Sequence, residues 1–128
     1  MAKVLIVDDD KSMLESLSDC LETGGHQIVA CADPTQAEAL ALAEKPDVAV
    51  VDYQMPGKSG TALLADFRAR EETKKLPVIF LSGTETLRYS AEVPPEPRAR
   101  FLRKPVQMEE LLTLIAELLN PEGWANAG

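Results

Sequence analysis

The chain has 128 residues, with 13 Lys+Arg against 21 Asp+Glu for a formal charge of -8, and 45% of it is hydrophobic. This length makes one domain that buries roughly two-thirds of the surface its unfolded chain exposes, and the composition is that of a folded protein. Acidity throughout argues against direct nucleic-acid binding, and the apolar runs at 4–7, 48–51 and 78–81 are too short to cross a bilayer.

The start, MAKVLIVDDD, lacks the architecture of a signal peptide, so a cytoplasmic location without membrane insertion is expected. Residues 4–7 read as a buried strand stopping at Asp8. Residues 11–23 then place Leu14, Leu17 and Leu21 on one helical face, and Gly24-Gly25 ends that helix. His26, after this turn, reads as a solvated loop residue. Residues 27–31 make a second strand. Cys20 and Cys31 have neither CxxC spacing nor a metal-ligand pattern and read as buried small hydrophobes.

Asp33-Pro34 supplies an N-cap and a proline at the first helical position of an Ala-rich helix to about Ala43. Residues 49–51 form a third strand ending at Asp52, and Met55-Pro56-Gly57 makes a turn. Ser59 caps a helix carrying Leu63, Leu64 and Phe67, and residues 77–81 form the fourth strand. After it, residues 84–91 form a short fourth helix, which the Pro-rich loop PPEP at 94–97 cannot continue. Residues 100–103 are a weaker fifth strand leading to Lys104-Pro105, and residues 107–119 a last amphipathic helix. The chain therefore reads as one α/β domain over 1–120 with a short flexible tail at 121–128. Alternation of β-rich and helical runs predicts a parallel sheet covered by helices.

Polar groups gather at the strand ends: the first strand ends in Asp8-Asp9, the third in Asp52 and the fourth in Ser82-Gly83, and the fifth leads to Lys104. Open parallel sheets bind ligands at that edge. Two carboxylates about 4 Å apart repel by about 4 kcal/mol at an effective dielectric near 20, and a hard divalent cation on oxygen ligands, magnesium above all, relieves this. Such a set suits phosphoryl transfer by positioning and electrostatics, with a carboxylate as nucleophile and Gly83 leaving room for the group.

The motifs VDDD at 7–10, VVDYQMPGKSG at 50–60, FLSG at 80–83 and FLRKP at 101–105 are each weak alone. In this order, over about 3–119, they resemble the response regulator receiver domain of two-component signalling. That resemblance implies a flavodoxin-like (βα)5 fold with strand order 2-1-3-4-5 and helices on both faces, an order taken from the family. It implies Asp52 as phospho-acceptor, with Asp8, Asp9, Asp52 and the Gln54 carbonyl holding Mg²⁺ (or Mn²⁺). It implies Lys104 as the phosphate-pairing ammonium, Ser82 as the switch hydroxyl, Phe101 as the switch aromatic, and a cis Lys104-Pro105 bond.

The implied activity is self-catalysed phosphoryl transfer from a phosphohistidine on a histidine kinase or phosphotransfer protein, followed by slow autodephosphorylation. Movement of Ser82 and Phe101 would then reshape the face of the fourth helix, fifth strand and last helix toward a downstream protein target, as a monomer or a phosphorylation-dependent dimer. The sequence departs from the commonest family pattern at three places. Ser82 stands where Thr is more frequent, Gln54 and Thr84 flank the phosphoryl site, and the PPEP loop shortens the fourth helix. The loop loosely resembles receivers attached to hybrid histidine kinases. No output domain follows residue 119, so a stand-alone receiver and a module of a larger protein both fit.

Two rivals are a haloacid dehalogenase-type phosphatase using Asp8 and Asp10, and a pseudo-receiver that binds without phosphorylation. The first leaves Asp52 unexplained, and the second gives no reason to keep every polar group.

Overall fold

The computed structural model describes residues 2–53, 59–83 and 98–119. Five strands, β1 (Lys3–Val7), β2 (Gln27–Cys31), β3 (Val48–Asp52), β4 (Val78–Ser82) and β5 (Ala99–Arg103), form one sheet in the order β2-β1-β3-β4-β5. Every pairing is parallel. The expected α/β, flavodoxin-like order is therefore observed.

Four described helices cover the sheet: α1 (Lys11–Thr23), α2 (Ala37–Glu44), α3 (Gly60–Arg68) and α4 (Met108–Leu118). The short helix expected at 84–91, the PPEP loop and the tail all lie outside the described residues, so Met108–Leu118 takes the label α4.

The central strands β1, β3 and β4 read as apolar runs because both their faces are buried. Leu5, Val7, Ala49, Val51, Val78 and Phe80 pack on one face with α2 and α3 residues such as Ala41, Leu63 and Phe67. Val4, Ile6, Val48, Val50, Ile79 and Leu81 pack on the other with Leu17, Leu21, Leu111, Ile115 and Leu118. In β3 the charged residue comes only where the apolar run ends, at the carboxyl edge.

Helix starts follow their caps. Asp10 Oδ1 accepts from the Ser12 and Met13 amides at 3.0 and 3.3 Å, and Ser59 Oγ accepts from Ala62 at 3.1 Å. Gly25, at φ +95, carries the turn after α1 that glycine adopts without strain.

Three expectations need correction. The helix after Asp33 opens with a 3-10 turn, Pro34–Gln36, before α2. Asp33 Oδ1 binds both the amide and hydroxyl of Thr35, at 3.0 and 2.7 Å, which tightens that turn. Cys31 is buried, but Cys20 is exposed. Cys20 precedes Leu21 by one residue and so lies about 100° from it around α1, off the apolar stripe. His26 is half-buried, and its Nδ1 accepts from the Ala2 amide at 3.2 Å. Asp52 closes β3, as expected. Among the described residues no helix is long and apolar enough to cross a membrane.

Candidate functional site

β1 ends at Val7, and the backbone carries on one residue in register: the Asp8 amide donates to the Cys31 carbonyl at 3.0 Å. This extension buries the Asp8 side chain to 1% exposure. Its Oδ1 accepts from the Asp10 amide at 2.9 Å, whereas its buried Oδ2 has no hydrogen-bond partner among the described residues. Burial pushes the Asp8 carboxyl up to about 6; the Asp10 amide opposes the rise and the Asp52 charge adds to it.

Asp52 ends β3 opposite Leu81 and is also buried. Carboxylate oxygens of Asp8, Asp9 and Asp52 all lie within 4.8 Å of one another, with Asp9 exposed. Lys104 reaches this cluster from the end of β5, and its ammonium donates to Asp52 Oδ1 at 3.1 Å. The Lys104 amide donates to the Ser82 carbonyl at 2.7 Å, and the Lys104-Pro105 bond is cis. The sheet thus draws together groups up to 96 positions apart, Asp8 and Lys104.

One ammonium cannot balance three carboxylates. Two buried like charges 4.8 Å apart repel by about 3.5 kcal/mol at an effective dielectric near 20, and water screens the exposed Asp9. A hard divalent cation fits this donor set: all-oxygen ligands, excess negative charge, and an orphaned buried carboxylate oxygen on Asp8 for a cation to satisfy. Asp10 is not in the cluster. Its carboxylate caps α1, which weighs against a reaction that pairs Asp8 with Asp10.

Ser82, at the end of β4, is 1% exposed and sits one strand over from Asp52. Among the described residues, a Cβ at Gly83 would meet nothing within 4 Å. Gln54 and Thr84, expected beside the phosphoryl group, lie outside the described residues.

Phe101 is not part of the carboxylate cluster. Half-buried on β5, it stacks at 5.2 Å from Phe80 and 5.5 Å from Tyr53. Tyr53 meets Phe80 edge-on at 5.3 Å, and its hydroxyl shares a hydrogen bond of 2.6 Å with Thr61 Oγ1. A Cβ on Gly60 would come 3.0 Å from the Phe80 ring and 3.2 Å from Tyr53 Cα, so glycine is what lets α3 approach this cluster. Sequence reasoning missed Tyr53, Thr61 and Gly60. Period-two alternation was the available signal, because it places Tyr53 on the same face as Val51.

Residues 4–116 match the family described as response regulator receiver domain. The chain is 34% identical to protein PilH of Pseudomonas aeruginosa, over 93% of this chain and 98% of PilH. It is 35% identical to response regulator protein FleR of the same organism, over 90% of this chain but only 24% of FleR, so it spans about a quarter of that relative. The crystal structure of the chemotaxis protein CheY4 of Vibrio cholerae superposes with a TM-score of 0.79 at 29% identity, covering 92% of this chain and 98% of CheY4. With fold, strand order and family match in agreement, this chain belongs to the response regulator receiver domain family of two-component systems.

Proposed function

We propose that Asp52 is the phospho-acceptor of a two-component phosphorelay. The observation that carries this reading is the juxtaposition of Asp8, Asp9 and Asp52 within 4.8 Å, with Lys104 on Asp52 Oδ1. A carboxylate oxygen of Asp52 attacks the phosphorus of a partner's phosphohistidine as the phosphorus–nitrogen bond breaks, and the imidazole leaves with the electron pair. Lys104 passes from Asp52 to a phosphoryl oxygen, and the Ser82 hydroxyl donates to another.

Asp8, Asp9 and Asp52, with the Gln54 carbonyl, would hold Mg²⁺ or Mn²⁺. When bound, the ion neutralises the carboxylates and withdraws charge from the phosphoryl group. Attack of water on phosphorus later regenerates the Asp52 carboxylate and inorganic phosphate. Modification adds roughly 1.5 to 2 negative charges at the edge of β3. Ser82 is drawn toward them, and Phe101, already packed on Tyr53 and Phe80, moves further inward, changing the surface of β5 and α4 that a target protein meets.

The test is incubation with a small acyl-phosphate donor, with and without a chelator, and mapping of the modified residue. Label on Asp52 that requires the divalent cation is the expected result. Label on Asp8 would instead mark the phosphatase reading, and absence of label would mark a binding module that works without phosphorylation.

A further inference from the structure

We infer that a groove at the amino-terminal edge of the sheet is the docking site for the chain's own last segment, with the indole of Trp124 as its anchor. This goes beyond the proposed function: the groove lies at the edge opposite Asp52, and its occupation does not depend on phosphorylation.

The groove encloses about 560 Å³ where four segments meet, the end of α2, the entries to β3 and β4, and the end of α4. Ala41, Leu76, Pro77, Leu118 and Leu119 give it an apolar lining. A concave apolar space of this size suits one large side chain with its neighbours.

Chain geometry favours the tail as occupant. Leu119 caps α4 and also lines the groove, so the chain beyond it starts from the rim. Pro121 cannot extend the helix, because it lacks an amide hydrogen and restrains the residue before it to extended conformations. Trp124 follows Leu119 by five residues, a reach of at most about 17 Å. A segment tethered this closely meets the groove at an effective concentration on the order of millimolar, which favours it over the tail of a second copy.

The chemistry of the two surfaces also matches. Trp124 is the sole tryptophan of the chain, and docking removes its large apolar ring from water. A buried indole N–H needs an acceptor, and the exposed Glu72 carboxylate lies on the rim. Lys45 and Lys75 stand exposed on the same rim, neither in a side-chain ion pair among the described residues, and Glu122 complements them. The docked tail ties the end of α4 to the segments that enter β3 and β4.

The test uses the fluorescence of Trp124 in the full chain. Expected are an emission shifted to the blue and a smaller acrylamide quenching constant than in the free synthetic peptide NPEGWANAG. Nuclear Overhauser contacts should run from the indole to the methyl groups of Leu76 and Leu118. Trp124→Ala, a change outside the core, should shift the amide signals of Leu76 and Leu119 and leave those of Asp8 and Asp52 unmoved. Emission and quenching equal to those of the free peptide would overturn the inference, and so would indole contacts confined to another part of the chain. A blue shift that fades on dilution would give the groove to the tail of a second copy and overturn it equally.

Discussion

The two edges of the sheet treat charge in opposite ways. At the amino-terminal edge each charged group named here is met by an ordinary partner. Lys3 Nζ lies 3.1 Å from Glu44 Oε1 and donates to the Glu44 carbonyl, and the Lys3 amide donates to Asp47 Oδ2 at 2.8 Å. Arg68 donates to the Leu76 carbonyl at 2.8 Å, tying the end of α3 to the segment that enters β4. At the carboxyl edge three carboxylates crowd together with one ammonium, and Asp8 Oδ2 is buried without a hydrogen bond among the described residues. One edge closes the fold; the other carries an unfavourable charge arrangement that a ligand would relieve.

The largest effect that tests this contrast concerns Asp52. Asp52→Asn should remove all cation-dependent label from a small phosphodonor, read by mass spectrometry of the intact protein. Residual label at full stoichiometry would show that the crowded edge works through another residue.

A second test exploits the opposite signs of the two edges. Asp8→Asn should raise the stability of the metal-free protein at neutral pH by about 2 kcal/mol in urea unfolding, because it removes a buried carboxylate that burial has pushed up to about 6. The sign in pH follows from linkage. The folded state holds the proton more tightly than the unfolded state, whose carboxyl titrates near about 4, so this group stabilises the fold below that range. Its contribution is lost as pH rises through about 6. Measured in chelator, the wild type should therefore lose stability relative to Asp8→Asn across that window. The same variant should forfeit the stabilisation that added Mg²⁺ gives the wild type. A destabilised Asp8→Asn would erase the contrast.

At the other edge removal of charge should do harm. Arg68→Ala leaves the Leu76 carbonyl without its charged donor and should cost about 1.5 kcal/mol, with no change in Asp52 labelling. A smaller effect is expected from Tyr53→Phe, which keeps the ring stack on Phe80 and Phe101 but leaves Thr61 without its hydroxyl partner. A loss of about 1 kcal/mol in stability is expected, together with a changed NMR response of β5 and α4 to phosphodonor treatment. An unchanged response would confine the hydroxyl pair to a packing role.

Much of this molecule is legible in one dimension. Doubly buried strands need uninterrupted apolar runs, so each run ends where a polar residue begins, and those ends are where Asp8, Asp52 and Ser82 stand. Caps are equally local: Asp10, Asp33 and Ser59 each bond amides two or three residues ahead. Cys20 and the 3-10 turn are not legible from residue type, because one depends on angular position around α1 and the other on competing side-chain bonds.

The sequence by itself determined the alternation of elements, the apolar faces and the list of polar groups at strand ends, because these follow from local periodicity and hydrogen bonding. Only the tertiary structure decided which of those groups meet. Parallel pairing in the order β2-β1-β3-β4-β5 brings Lys104 onto Asp52 across 52 residues, leaves Asp10 out as a helix cap, and stacks Tyr53 with Phe101. Distance between side chains is a property of strand order, which no short window of sequence contains.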